Sequence, residues 1–316
     1  MKQTILILFL TFSALLSQNK NICITMDDVP FGAFNQNGFT LNDLENYNNI
    51  LLKSISKYNI PVTAFVNERD LIVEGETDKR ISIYKKWITN PLITIGNHTF
   101  SHPDYATSSL NDFQNEIAKG EIITKMLLNK TDKKLKYFRF PFNSVCKDSI
   151  SKFEIEHYLN TNGYYSTPFT IESADYLFNS LYVYYIQKGL IDSSKLVVDE
   201  YIKHTSILID YFEKLTLEQY NRNINQIYLC HANRLNTDNF DKLIELFETK
   251  GYNFISLDET LHDSIYSTQD KYYFKWGVSW LYRWINDTKI RKSYMKAEPE
   301  IKSYYLKLYE TIASGY

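Results

Sequence analysis

The sequence predicts an α/β fold built on a mostly parallel sheet, and two observations lead to this prediction. Short apolar runs typical of buried strands alternate along the chain with longer stretches that have a helical pattern. Such alternation indicates βαβ units, in which a helix connects two parallel strands. The chain has 316 residues, 44% of them hydrophobic, so it can also bury a sizeable core.

The predicted elements follow from apolar periodicity and from turn residues. Strand-like runs are found at residues 22–26, 61–66, 92–96, 137–140, 226–229 and 253–256. Helical patterns are found between them at residues 41–58, 110–128, 150–160 and 240–250, the last followed by Gly251 as a C-cap. Residues 194–220 predict a long helix or a helix pair inside an insertion at about 177–225.

The two ends of the chain differ from the rest. Lys2 precedes an apolar stretch at residues 5–16, which has the length of a signal-peptide core and is short for a bilayer span. We therefore expect residues 1–19 to be a signal peptide, no stable membrane span, and export to the periplasm or the extracellular space. An uncleaved anchor is the alternative.

The C-terminal extension, residues 265–316, is rich in Tyr, Trp and Lys. Trp276, Trp280 and Trp284 recur every four residues and predict one face of a helix. A stripe of this kind more often packs onto the main domain than it binds a sugar.

Composition argues against nucleic-acid binding and against a fold held by disulfides. The 35 basic and 37 acidic residues give a formal net charge of −2, so no basic patch for nucleic acid is expected. Cys23, Cys146 and Cys230 form no close pair, and their odd number argues against a disulfide framework. The sequence carries no signal for an oligomeric state.

Asp27 and Asp28 are the most informative pair in the chain. They follow the strand-like run at residues 22–26, and the carboxyl ends of strands are where α/β folds place their chemistry. Two adjacent carboxylates repel each other, and a divalent cation would offset this by binding one while leaving the other as a base. Capping of a following loop or helix is the alternative for these residues.

Two histidines complete a candidate metal site. His98 and His102 follow the strand-like run at 92–96, and Pro103 disfavours helical geometry at His102. One carboxylate and two imidazoles form a common ligand set for catalytic Zn²⁺, and Asp28, His98 and His102 fit it. Co²⁺, Ni²⁺ and Mn²⁺ also bind such a set. The alternative is that both histidines are hydrogen-bonded surface residues.

Three further segments lie in order along the chain: Arg139-Phe140-Pro141-Phe142, Glu172-Ser173-Ala174-Asp175-Tyr176 and Leu229-Cys230-His231. Together with Thr25-Met26-Asp27-Asp28 and the segment from His98 to His102, they resemble the motifs of the polysaccharide deacetylases. This family is also called the NodB homology domain, or carbohydrate esterase family 4. The resemblance spans about residues 21–261. It implies a deformed (β/α) barrel as the fold, here with a helical insertion and a helical C-terminal extension, and a catalytic domain at residues 20–264.

The resemblance also implies a role for each residue. Asp27 would be the general base for the attacking water, and Arg139 would pair with Asp27 to hold it ionised. His231 would be the general acid, oriented and kept protonated by Asp175.

Asp28, His98 and His102 would hold the metal. The backbone N–H of Phe142 would help to stabilise the oxyanion. Tyr176 stands where the family usually has Trp, and Glu172 where it has Asp, so the pocket wall beside the acetyl group is expected to differ.

These roles imply a metal-dependent hydrolase that removes acetyl groups from an N-acetylated carbohydrate, such as a glycan containing N-acetylglucosamine. Two alternatives remain: an esterase for O-acetylated, xylan-like polysaccharides, and a non-catalytic glycan-binding protein on the same scaffold. The expected partner is an acetylated glycan. His157, His204 and His262 lie outside the motifs and are given no role.

Overall fold

The computed structural model describes residues 20–32 and 38–314, so the predicted signal peptide at residues 1–19 lies outside the described residues. Eight parallel strands form one sheet in the order β5-β4-β3-β2-β1-β7-β6, and β8 pairs with β1 beside that path. The strands are β1 (Lys20–Val29), β2 (Val62–Val66), β3 (Ile93–Asn97), β4 (Tyr137–Phe138), β5 (Tyr165–Ser166), β6 (Ile171–Glu172), β7 (Gln226–His231) and β8 (Tyr252–Phe254).

Helices connect these strands and surround the sheet. They are α1 (Leu41–Lys57), α2 (Thr77–Thr89), α3 (Leu110–Lys119), α4 (Ile122–Leu128), α5 (Ser149–Thr161), α6 (Asp175–Gln187), α7 (Ile191–Tyr220), α8 (Arg234–Thr249), α9 (Leu257–Thr260), α10 (Trp280–Arg283), α11 (Thr288–Ala297) and α12 (Ser303–Ser314). Within the described residues, no helix is long and apolar enough to cross a membrane.

The central strand β1 explains why this sequence folds around a parallel sheet. Ile22, Ile24 and Met26 on β1 are fully buried, and Cys23 and Thr25 between them are buried as well. A strand that is covered on both faces requires a nearly continuous apolar run rather than an alternating one. β1 pairs with β2, β7 and β8, so its carboxyl end, where Asp27 and Asp28 lie, is at the centre of the sheet edge.

The predicted α/β fold is confirmed. All the strand pairs are parallel, and the sheet curls with helices around it, which is the deformed barrel that the family resemblance implied. Among the described residues, β5 and β6 form the two free edges, so the barrel stays open there. The domain boundaries at 20–264 and 265–316 stay a prediction.

Three local predictions were incomplete. The single helix expected at 110–128 is two helices, α3 and α4. Gly120 separates them, and a Cβ there would lie 2.5 Å from the backbone carbon of Thr99, so the chain must turn close to another backbone at this point. Helix α2 was not predicted, and α6 was covered only by the helical insertion expected at about 177–225, without bounds of its own. Helix α6 buries side chains on several sides, among them Leu177, Phe178 and Leu181, and therefore lacks a clear apolar stripe.

The prediction of a tryptophan stripe in the C-terminal extension was wrong. Only Trp280 begins a helix, the four-residue α10, while Trp276 lies in irregular chain and is 63% exposed. Trp280 and Trp284 are buried in the main core, as the packing interpretation expected. This segment docks without a regular helix because the carboxylate of Asp270 forms ion pairs with two buried side chains. Its Oδ2 lies 2.7 Å from Arg283 Nη2 and 2.7 Å from Lys152 Nζ.

Candidate active site

The residues singled out in the sequence lie at the carboxyl ends of neighbouring strands. Asp27 and Asp28 end β1, and His98 follows β3. His231 ends β7, directly opposite Asp27 in the strand register. Because all these strands run parallel, their carboxyl ends meet at one edge of the sheet, and the side chains line one cleft of about 620 Å³.

Asp28, His98 and His102 come together at the floor of this cleft. Asp28 Oδ1 lies 3.6 Å from His98 Nε2 and 3.5 Å from His102 Nε2. The donor atoms of the three residues all lie within 4.8 Å of one another. Ligand atoms held tetrahedrally at about 2.0–2.1 Å from Zn²⁺ are roughly 3.3–3.4 Å apart, so the set needs only small adjustments to share one ion.

The electrostatics of the three residues also fit a cation. Asp28 Oδ1 is buried and has no hydrogen-bond partner among the described residues. Burial lowers the pKa of His98 to about 4, so its ring is neutral at pH 7 and can offer a lone pair. The carboxylate oxygen of Asp28 gains little from the neutral ring of His98 unless a positive charge lies between them. The residues present therefore fit a divalent cation.

A second layer of hydrogen bonds fixes the orientation of the histidines. His98 Nδ1 lies 2.7 Å from the carbonyl oxygen of Arg139, which fits a donated N–H and turns Nε2 towards Asp28. Asn67 Nδ2 donates to the carbonyl of His98 at 2.6 Å. Glu116 on α3 accepts from both the N–H and the hydroxyl of Ser101. The loop that carries both histidines is thus held by strand ends and by α3.

The backbone of the site is locally strained. Eight non-glycine residues in the described ranges have positive φ, and six of them are in the loops around this cleft: Asp28, Thr99, His102, Phe142, Asn143 and Ala174. Such conformations cost about 1–3 kcal/mol each and persist only where the surrounding structure imposes them. Their concentration at one edge of the sheet marks the site independently of any motif.

Asp27 lies beside the three candidate metal ligands in a buried environment that contains charged groups. Its side chain is almost fully buried, with Oδ2 3.7 Å from His98 Nε2 and 3.7 Å from Arg139 Nη1. Arg139 is fully buried, and its Nη2 donates to Thr25 Oγ1 and to the carbonyl of Pro168 at 3.1 Å each. The structure therefore places a fixed positive charge next to Asp27. At 3.7 Å the contact is an ion pair rather than a hydrogen bond.

His231 and Asp175 form a tight pair on the other side of the cleft. His231 Nδ1 lies 2.6 Å from Asp175 Oδ1, and Asp175 Oδ2 accepts from the backbone N–H of His231 and from the amides of Asn233 and Asn236. Burial by itself would lower the pKa of His231, but the charge of Asp175 and the hydrogen bond to it raise that pKa to about 10. His231 is therefore protonated at neutral pH.

Aromatic residues flank these groups. Phe142 is 61% exposed, and its ring packs edge-on against His102 at 4.6 Å between centroids. Tyr176 is 50% exposed and lies 6.4 Å from the His231 ring. Glu172 lines the same cleft; burial, then the charge of Asp175, raises its pKa to about 7.

The sequence analysis missed four contributors to the site. Asn233 and Asn236 donate side-chain hydrogen bonds to Asp175. The available sequence signal is Asn233, which stands two residues after His231 and is the N-cap of α8. Gly277 and Tyr309 line the cleft from the C-terminal extension. No local pattern could have placed these two, because they reach the cleft only through tertiary packing.

Comparison with known proteins agrees with this geometry. Residues 17–156 match the family model described as polysaccharide deacetylase. Over these residues, which are fewer than half of the 316 in the chain, the sequence is similar to that family. The matched span includes Asp27, Asp28, His98, His102, Arg139 and Phe142, whereas Asp175, Tyr176 and His231 lie beyond it.

One curated relative is the peptidoglycan-N-acetylglucosamine deacetylase of Bacillus cereus, 26% identical over 129 residues. The alignment covers 41% of this chain and only 38% of the relative.

Two solved structures share this fold. The chitin deacetylase from Colletotrichum lindemuthianum superposes with a TM-score of 0.51 at 21% identity, covering 78% of this chain and 89% of that one. A mutant of a CE4 family pseudoenzyme from Bacillus anthracis, with restored enzymatic activity, superposes with a TM-score of 0.50 at 17% identity. That alignment covers 77% of this chain and 68% of the other. At these identities the likeness supports the barrel and no finer statement.

Proposed function

We propose that this protein is a metal-dependent deacetylase that hydrolyses the acetamide of an N-acetylated glycan. The observation that carries the proposal is the convergence of Asp28, His98 and His102 within 4.8 Å, between a buried carboxylate on one side and a protonated histidine on the other. The similarity to a peptidoglycan-N-acetylglucosamine deacetylase supports an N-acetylated sugar as the substrate.

Asp28, His98 and His102 would hold the ion, and two imidazoles with one carboxylate suit Zn²⁺, with Co²⁺, Ni²⁺ and Mn²⁺ as alternatives. Once bound, the ion would supply Lewis-acid polarisation of the acetyl carbonyl and a lowered pKa for water.

Each of the remaining groups has a task that its surroundings support. Asp27 would accept the proton of the attacking water, and the guanidinium of Arg139 keeps a positive charge close to it. The backbone N–H of Phe142 would donate to the oxyanion that forms at the acetyl carbonyl. His231 would donate its proton to the leaving amine, since Asp175 holds it protonated well above neutral pH.

The proposal includes export of the protein through a signal peptide at residues 1–19. The apolar stretch at 5–16 after Lys2 supports it. Cell fractionation with N-terminal sequencing of the mature chain tests it, and a mature chain that begins at Met1 would contradict it.

Acetate release tests the proposed reaction. Purified protein is incubated with N-acetylated and with O-acetylated oligosaccharides, with Zn²⁺ and after chelation. We expect acetate from the N-acetylated series only, and its loss on chelation. Acetate from the O-acetylated series alone would instead identify an esterase. If the protein binds glycans without releasing acetate from either series under any metal, it is a non-catalytic binder.

A further inference from the structure

The C-terminal extension contributes two residues to the wall of the catalytic cleft. Gly277 and Tyr309 line the cleft together with Asp27, Asp28 and His231. Gly277 lies 46 residues and Tyr309 78 residues beyond His231, the last motif residue. The cleft is therefore completed by parts of the protein that the deacetylase resemblance, at about residues 21–261, does not reach.

Tyr309 extends the row of aromatic rings that begins beside His231. Tyr176 lies 6.4 Å from the His231 ring, and Tyr309 lies a further 6.4 Å from Tyr176, nearly perpendicular to it at 77°. Tyr309 is half-buried and so keeps part of its ring surface open. Tyr309 is therefore separated from His231, the proposed general acid, by the ring of Tyr176.

Helix α12, which carries Tyr309, is anchored on α6, the helix that begins at Asp175. Tyr305, Leu306 and Ile312 pack against the apolar cluster of α6 and α7, and the Tyr305 ring lies 6.1 Å from Phe178. Lys302 forms an ion pair with Glu200 at 2.5 Å. Tyr309 is thus held against the cleft by the same helix that positions Asp175.

The opposite wall is also set by the C-terminal extension. A Cβ at Gly277 would lie 2.0 Å from the carbonyl oxygen of Phe142, so the two backbones are in direct contact. This contact supports the loop on which the Phe142 ring is 61% exposed beside His102. Open aromatic surface therefore borders the reacting groups on two sides.

A pyranose ring has a face of C–H groups that packs well against an aromatic ring, while its hydroxyls need polar partners at its rim. We propose that Tyr309 is a substrate-binding residue of this enzyme, which contacts the sugar unit adjacent to the one that loses its acetyl group. The inference rests on the proposed function for the nature of the ligand. It adds that binding depends on the length of the glycan and on the C-terminal extension.

Kinetics and binding with β-1,4-linked oligomers of N-acetylglucosamine test the inference. For the tetramer, Tyr309→Ala should raise KM about fivefold to tenfold with kcat nearly unchanged. Tyr309→Phe keeps the aromatic ring and should therefore show wild-type values of KM and kcat. For the dimer, the rise should be less than twofold. Tyr304→Ala is the matched control, because Tyr304 is on the same helix, is 63% exposed and does not line the cleft.

Calorimetric titration of the tetramer in chelator-treated buffer measures binding without turnover. We expect Tyr309→Ala, and not Tyr304→Ala, to weaken it by the same factor. Unchanged tetramer binding in Tyr309→Ala, equal weakening in Tyr304→Ala, or no binding by the wild-type protein would overturn the inference. A wild-type protein that binds the tetramer but never releases acetate would refute the proposed function alone, since the titration still compares the two variants.

Discussion

Replacing Asp175 by Asn removes the negative charge that keeps His231 protonated while preserving the shape of the side chain. Asp175 is buried and accepts four hydrogen bonds, two of them from His231. An amide can still accept on its oxygen but cannot offer a second acceptor. The substitution therefore tests electrostatic support of the proposed general acid rather than its packing.

The magnitude follows from the raised pKa of His231. That pKa is about 10, against an ordinary value of 6.5, and burial alone acts in the opposite direction. Without Asp175 we expect the pKa of His231 to fall to about 6.5 or lower, so at pH 7.5 about a tenth of the molecules or fewer would be protonated. Acetate release at pH 7.5 should then drop at least tenfold.

A pH profile of kcat/KM distinguishes this effect from simple damage. In Asp175→Asn the alkaline limb should move down by about 3.5 pH units or more, so part of the lost activity returns as the pH is lowered towards 6. Asp238→Asn is the matched control, because Asp238 pairs with Arg234 and makes no hydrogen bond to His231. A profile for Asp175→Asn that is uniformly lower, with its alkaline limb unmoved, would refute the reasoning.

Stability should change with pH in the same variant. Because the pKa of His231 is higher in the folded protein than in the unfolded chain, the charged pair contributes fully below about pH 6.5 and its contribution is lost as the pH rises through about 10. The difference corresponds to up to about 5 kcal/mol. Denaturant unfolding of metal-free protein from pH 6 to 10 should therefore show a falling advantage of wild type over Asp175→Asn, and a constant difference would contradict this.

Two further predictions concern the supports of the site. Gly120→Ala places a Cβ 2.5 Å from the backbone of Thr99, so the histidine loop must shift, and we expect metal affinity measured by calorimetry to fall about tenfold to a hundredfold. Wild-type affinity would show that the loop does not depend on this contact. Arg283→Ala leaves Asp270 with one buried partner and should lower the free energy of unfolding by about 3–5 kcal/mol in denaturant titration, with the exposed Lys289→Ala as control. A loss below 1 kcal/mol would contradict the anchoring role.

The sequence was sufficient for the fold and for the residues at strand ends. Buried parallel strands are continuous apolar runs, so β1 and β7 and the polar residues after them could be recognised directly. The prediction for Asp28, His98 and His102 rested on the ligand types, and their convergence follows from the parallel register of β1 and β3 on either side of β2.

The remaining features depend on long-range packing that leaves no local pattern. Helix α6 is apolar on several sides because α7 and α12 cover it, so periodicity gave no signal for it. The irregular chain around Trp276 is held by the buried pair of Asp270 and Arg283 rather than by helical propensity. Tyr309 reaches the cleft only because α12 docks on α6, and neither its neighbours nor its spacing could indicate this.

The same substitution at two adjacent residues tests the central claim most directly. Metal content and acetate release are measured in parallel for Asp28→Asn and Asp27→Asn, because both changes keep the side-chain shape and Asn tolerates the positive φ of residue 28. We predict that Asp28→Asn loses both the ion and the activity, whereas Asp27→Asn keeps the ion and loses the activity alone. An Asp28→Asn protein that retains one equivalent of metal, or that still releases acetate in chelator-treated buffer, would contradict the account.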